Sequence, residues 1–305
     1  MTELRTRVAA ELEAPVAEEV REFAAEVAAK YGAASQAVLF YGSCLWSKQL
    51  DGLMLDFYLL VDDYGRAYGK RWLAAANRLI PPNVFYAEQG NLRAKYAVLT
   101  VDDFARLASA RTRNVSVWAR FAQPSALVWA RDDAARDRVV AAVAQAAPAL
   151  LAAARPLLPA KLDMRELWTR AFALTYDAEL RSEKAGRGVT LYDTAPERYR
   201  DITGPALAAA GISARVAGET VELLNSADPA AGERQWARRR LEGKLLSAVR
   251  LIKASLTFDG GIDYLAWKIT RHSGVEVAIT PWQRRHPILA GLLLLPQLKR
   301  KGAVR

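Results

Sequence analysis

Residues 38–64 read VLFYGSCLWSKQLDGLMLDFYLLVDDY. Two apolar runs are separated by a Gly-Ser pair and a polar connector, and the second run carries an aspartate between Leu55 and Phe57. An ionised carboxylate buried without a partner costs several kcal/mol even after relaxation. Asp56 therefore lies either at an exposed edge or against a positive charge. Gly42-Ser43, placed directly after a strand-like run, lets the backbone approach a phosphate, with the serine hydroxyl and neighbouring N–H groups as donors. Asp56 on the next strand could hold Mg²⁺ against the same phosphates, because that ion binds through one or two carboxylates plus substrate oxygens. The metal would then be the missing positive charge.

Around this stretch the pattern alternates between strands and helices. Apolar residues recur at helical spacing over 5–31 (Val8, Leu12, Val16, Val20, Phe23, Val27), which predicts a helix ending near Gly32. Strands are expected over Ala37–Tyr41, Leu53–Val61, Arg93–Thr100 and 126–130, and a helix over Lys70–Leu79 that stops at Pro81-Pro82. A further helix follows Thr100, with Asp102 or Asp103 as its cap. From Asp132 onward the pattern is helical and alanine-rich, with EKAGRGVTLYDTAPERY read as a loop or turn and 232–257 as the longest basic amphipathic helix. Strands mixed with helices, then helices alone, predict an α+β fold: a mixed-sheet domain over 1–132, an all-helical domain over 133–280 and a basic amphipathic segment over 281–305.

Composition narrows the partners. The 305 residues include 43 Lys+Arg against 33 Asp+Glu, a net charge of +10 that favours anionic ligands. A single cysteine, Cys44, excludes an intramolecular disulfide and fits a reducing cytoplasm. With only His272 and His286 beside it, neither a Cys/His nucleophile pair nor a typical zinc site is expected. The first residues carry acids and no apolar core, so no signal peptide is expected. No nucleic-acid-reading motif is present, and no nucleic-acid partner is expected.

Gly-Ser, a spacer and an acid on the following strand resemble the polymerase-β-like nucleotidyltransferase superfamily, whose sites usually carry two acids two residues apart. Here Met54 and Tyr58 occupy the flanking positions, so Asp51, Asp62 or an acid of the helical half is left to complete a metal site. A wider set, FYGSCLW, MLDFYLLVDDY, NRLIPPNVFY, LRAKYAVLTVDDFARL and SVWARFAQPSALVW, resembles in order and spacing the mitochondrial-type phosphatidate cytidylyltransferases. The resemblance covers roughly residues 37–130 and touches the helical half only through ALTYDAELRSEK. It implies a nucleotidyltransferase fold, Gly42 and Ser43 cradling the CTP triphosphate, Asp56 binding Mg²⁺, and Lys95 contacting phosphate or the phosphatidic acid headgroup. Ala97 replaces a family glycine, and WARFAQPS keeps Arg120 and Pro124 without the family lysine. The implied reaction transfers CMP from CTP to phosphatidic acid, giving CDP-diacylglycerol and pyrophosphate. Two alternatives stay open: a nucleotidyltransferase acting on RNA, protein or a small metabolite, and a catalytically inactive membrane-binding relative.

In the helical half, Tyr176, Asp177, Glu179, Arg181 and Lys184 crowd one polar stretch. Asp177 or Glu179 is a candidate metal ligand and Arg181 a candidate phosphate contact, against the alternative of a solvated helix end. Seven basic side chains from Arg234 to Lys253 face a single acid, Glu242. Beyond Glu276 no acid occurs, and Trp282, Leu292 and Leu293 are interleaved with Arg284, Arg285, Lys299, Arg300 and Lys301. Apolar residues flanked by basic ones, too short to span a bilayer, suit an anionic membrane surface. A peripheral place on the inner membrane face is expected, with a docked C-terminal helix as the alternative. Removing residues 282–305 is expected to weaken co-sedimentation with anionic vesicles at low salt; unchanged sedimentation would count against the anchor.

Overall fold

The computed structural model describes residues 2–46, 50, 53–179, 187–257 and 279–285. Strands β1 (Ser35–Tyr41), β2 (Met54–Val61), β3 (Asn83–Gln89), β4 (Leu92–Thr100) and β5 (Ser125–Ala130) form one sheet in the order β3-β4-β2-β1-β5. β2 and β4 are parallel and the other pairings antiparallel. The fold is α+β, as the alternation of patterns predicts.

Residues 5–31 do not form one helix. Helix α1 (Thr2–Leu12) and helix α2 (Glu18–Ala29) flank a break that contains Pro15, which cannot continue a helix as a backbone donor. The break has a topological use. Leu4, Val8 and Leu12 of α1 join the core on one face of the sheet, while Val20, Phe23 and Val27 of α2 join the core on the other.

Between β2 and β3 lie α3 (Tyr64–Tyr68) and α4 (Arg71–Leu79). The turn after α4 holds a cis peptide between Pro81 and Pro82 and is fastened by two buried asparagines. Asn77 Nδ2 donates to Val98 O at 2.9 Å, Asn83 Nδ2 to Leu73 O at 3.1 Å, and the Asn83 amide to Asn77 Oδ1. β3 is not among the expected strands, since NVFYAEQ directly follows two prolines. Helix α5 (Val101–Leu107) is capped by Thr100, whose Oγ1 accepts from the Asp103 amide at 3.1 Å, and not by Asp102 or Asp103. Asp103 instead accepts from the Tyr64 hydroxyl at 2.7 Å. Helix α6 (Ser116–Phe121) leads into β5.

The second half contains α7 (Asp133–Val143), α8 (Ala146–Ala154), α9 (Met164–Asp177), α10 (Arg187–Thr194), α11 (Pro196–Ala209) and α12 (Pro229–Thr257). The stretch read as a loop thus carries α10 and the start of α11. This half is not wholly helical: β6 (Lys161–Asp163), β7 (Ala214–Ala217) and β8 (Thr220–Leu223) make a small antiparallel sheet, too short to show an alternating pattern. Asp133–Leu157 is apolar and long enough to cross a membrane, yet 72% of that window is buried in the core. Its apolarity serves packing. Buried residues from Leu4 to Trp236 form one continuous core that joins the sheet's second face to these helices.

Helix α12 crosses that core and is held at two places. Trp236 is fully buried, packs edge-on against Trp118 with ring centroids 6.5 Å apart, and donates from Nε1 to Ala153 O at 2.9 Å. Gly243 faces the end of α9, where an added Cβ would come within 2.0 Å of Ala178 O. Propensity alone would make Gly243→Ala stabilising by about 1 kcal/mol; the backbone clash reverses the sign. Gly243→Ala is expected to lower the urea midpoint, while Ala237→Gly, on an exposed stretch of the same helix, costs only about 1 kcal/mol through propensity.

Candidate functional site

Sheet register assembles the site. Asp56 is the lateral partner of Tyr41 on β1 and of Lys95 on β4, and Lys95 is the partner of Tyr86 on β3. Alternation along each strand turns Asp56, Tyr58 and Leu60 to the face that packs on the helical half, and Leu55, Phe57 and Leu59 to the face under α2. Asp56 and Lys95 thus stand side by side on the face toward the helices. Lys95 Nζ lies 3.0 Å from Asp56 Oδ1, with side chains 41% and 20% exposed respectively. The positive charge that the sequence requires beside Asp56 is supplied by Lys95. Sequence reasoning had both residues but not their pairing.

Gly42 ends β1 beside this pair. Its φ is +91°, a left-handed value that favours glycine, and an added Cβ would meet Asp56 Oδ2 at 3.0 Å. Ser43 is exposed and begins a short 3₁₀ turn, Ser43–Trp46. The Gly-Ser pair therefore puts the start of a turn directly against the carboxylate.

Two residues further along β2, Tyr58 borders a pocket of about 240 Å³. Lys95, Ser116, Arg120, Arg250 and Lys253 line it, with Pro82, Val84 and Ala97 as its apolar wall. Glu179, just past α9 and with its side chain 8% exposed, accepts from Arg120 Nη1 at 3.4 Å and from the Ser116 hydroxyl. Arg250 Nη1 donates to Ser116 Oγ at 2.7 Å and its Nε to Pro81 O at 2.8 Å. Lys253 Nζ donates to Pro82 O at 2.7 Å and to Ile80 O. The two asparagines that fasten the Pro-Pro turn thereby also place the carbonyls that grip α12.

The charges perturb one another. Burial pushes the Tyr41 and Tyr58 hydroxyls up, reinforced at Tyr41 by the Asp56 charge and partly offset at Tyr58 by Arg120 and Arg250. Burial alone would lower Arg120, but Glu179 together with Tyr58 and Tyr41 more than offsets it and the net shift is upward. Arg250 is lowered, chiefly by burial. Lys253 is pushed down to about 7, first by burial and then by the Arg250 charge.

The other expected residues fall as follows. Asp177 is the exposed last residue of α9, whereas Glu179 bonds to Ser116 and Arg120 of the pocket lining. Asp62 accepts from Arg66 at 2.6 Å, away from the pocket lining. Trp282 is 47% exposed in helix α13 (Pro281–Arg285), whose last two residues are Arg284 and Arg285. Thr280 and Gln283 start that helix with reciprocal backbone bonds of 2.8 and 3.3 Å. Asp51, Arg181, Lys184, Leu292, Leu293, Lys299, Arg300 and Lys301 lie outside the described residues. Ser116, Arg250 and Lys253 were not singled out. Arg250 and Lys253 were read only as members of a basic run, although their three-residue spacing among the apolar residues 248–252 is a signal of an inward-facing basic pair.

Among the described residues no cluster of three or more His, Cys, Asp or Glu could hold a metal alone. Asp56, whose Oδ2 faces the Gly42 backbone, is of the type in which one carboxylate shares Mg²⁺ with substrate phosphates.

No protein-family model matches the chain, and no curated protein matches its sequence. Among solved structures it is similar to a nucleotidyltransferase-like protein from Exiguobacterium sibiricum, at 12% identity over 93% of this chain and 91% of that one, with a TM-score of 0.27. A likeness of that size carries no argument about the site, which rests on its own geometry.

The depressed Lys253 predicts a pH signature. The unfolded lysine titrates near 10.5 and the folded one near 7, so between these values the unfolded chain binds the extra proton. Stability therefore rises with pH through that window, and the unfavourable burial is felt fully below pH 7. Urea unfolding should give a higher stability at pH 9 than at pH 7, and Lys253→Met should flatten the difference. The upward-shifted tyrosines act only above this window.

Proposed function

We propose that this protein is a Mg²⁺-dependent nucleotidyltransferase, and specifically a phosphatidate cytidylyltransferase that transfers CMP from CTP to phosphatidic acid. The observation that carries the proposal is the Asp56–Lys95 pair, set against the Gly42-Ser43 turn and beside a cation-lined pocket. The lipid specificity rests on the resemblance of residues 37–130 to that enzyme family and on the basic, apolar C-terminal sequence.

In this mechanism Gly42 and Ser43 receive the triphosphate, because the glycine leaves room for close backbone approach and Ser43 offers its hydroxyl. Mg²⁺, held by Asp56 together with triphosphate oxygens, would neutralise charge on the phosphates. Lys95, paired with Asp56 and lining the pocket, would steady negative charge as it develops. A phosphate-monoester oxygen of the acceptor attacks the α-phosphorus. The bond from that phosphorus to the oxygen bridging the β-phosphorus breaks, and pyrophosphate leaves with the electron pair. The acceptor is largely ionised near neutral pH, so no side chain must remove a proton, and positioning with charge neutralisation carries the rate. Work at the inner membrane face, with an anionic surface as partner, belongs to the same proposal.

Radiolabelled CTP incubated with Mg²⁺ and phosphatidate in mixed micelles should yield CDP-diacylglycerol and pyrophosphate. Asp56→Asn should lower turnover by about three orders of magnitude or more while leaving the circular dichroism spectrum unchanged. Near-normal turnover in that variant would remove Asp56 from the chemistry. Absence of product from wild type with CTP still bound would keep nucleotidyl transfer and redirect the search to another acceptor.

A further inference from the structure

Three cations, Arg120, Arg250 and Lys253, line the inner part of the pocket. Among the described residues Glu179 pairs with Arg120 there. The cations come from two elements far apart in sequence, α6 and α12, and converge beside Tyr58. Arg250 Nη2 is buried and has no hydrogen-bond partner among the described residues. A buried charged donor left unpaired is unfavourable, and a purely structural arginine would avoid it. At about 240 Å³ the pocket lies below the roughly 300–1,000 Å³ typical of whole small-molecule ligands. It suits a headgroup and not an entire nucleoside triphosphate.

We propose that Arg250 and Lys253, with Arg120 and the Ser116 hydroxyl, form the subsite for the acceptor's phosphate-monoester dianion, separate from the Gly42-Ser43 turn that takes the nucleotide. This assignment rests on the reading of the protein as a nucleotidyltransferase with a phosphorylated acceptor. Arginine offers a fork of donors to phosphate oxygens, and the unpaired Nη2 is the donor a bound oxygen would satisfy. Lys253, lowered by burial and by Arg250, gains a reason to hold its proton when a dianion enters. Lys95 stands between the two subsites, paired with Asp56 and also lining the pocket, where attacking oxygen and α-phosphorus must meet.

Steady-state kinetics and isothermal titration on the full chain test this, with dihexanoyl phosphatidate, inorganic phosphate and Mg²⁺–CTP as probes. Arg250→Met and Lys253→Met should each raise the phosphatidate KM and Kd about tenfold or more while the CTP values stay within about twofold. Arg250→Lys and Lys253→Arg keep the charge, should recover part of the loss, and stand in if the neutral variants fail to fold. A rise in the CTP constants with phosphatidate unchanged would overturn the assignment and give the cations to the nucleotide. Equal affinity of wild type for inorganic phosphate and for dihexanoyl phosphatidate would overturn it in favour of a free-phosphate site. Wild type that binds phosphatidate through these residues but forms no product supports the subsite and overturns the enzymatic reading alone. Wild type that turns over phosphatidate with both variants unaltered overturns the subsite alone.

Discussion

The parallel pairing of β2 with β4 is the constraint on which the site depends. It puts Asp56 level with Lys95, and the 3.0 Å contact between them lets a carboxylate stand inside an apolar run. A shift of one residue in that register would turn every side chain of one strand to the other face. Leu55 and Phe57 would then abandon the core under α2, and Asp56 would enter it. The apolar alternation thus enforces the polar pair, although no apolar residue touches the chemistry proposed for it. The same register sets Tyr41 beside Asp56 and places the Gly42 turn against its second oxygen.

A second constraint acts from a distance. Helix α12 is anchored by Trp236 in the helical core and by close approach at Gly243 to the end of α9. Its later turns then lie over the Pro81-Pro82 turn, where backbone carbonyls hold Arg250 and Lys253. Gly243 meets Ala178, the residue before Glu179, so one contact sets the position of both the helix that brings cations and the carboxylate that balances them. Placing such charges out of water is unfavourable unless a ligand or partner compensates. That is why an arginine with an idle nitrogen in a pocket reads as a binding device and not as a strut.

Much of the first half was legible because its signals are local. Strand ends near Tyr41, Val61 and Thr100, the stop at Pro81-Pro82 and the place of Asp56 between apolar neighbours follow from alternation, proline geometry and the expense of a buried charge. The errors have local causes too. The apolar spacing over 5–31 runs through Pro15 without a change of phase, so two helices on opposite sides of the sheet look like one. Thr100 caps α5 from the last strand residue, two positions before the nearer of the two acids. β6, β7 and β8 are three or four residues each, too short for any periodicity to register.

By itself the sequence determined the kind of fold, the acid inside an apolar strand, the glycine where the backbone must come close, and the excess of positive charge. Those follow from each residue's own chemistry and its near neighbours. Only the tertiary structure decided which cation meets Asp56, which of Asp177 and Glu179 bonds to the pocket's lining, and which members of a long basic run turn inward. Lys95 is 39 residues from Asp56, and Arg250 is 134 from Ser116. Contacts at such separations are set by strand register and helix docking, which arise from packing the whole core and leave no mark on any short stretch of the chain.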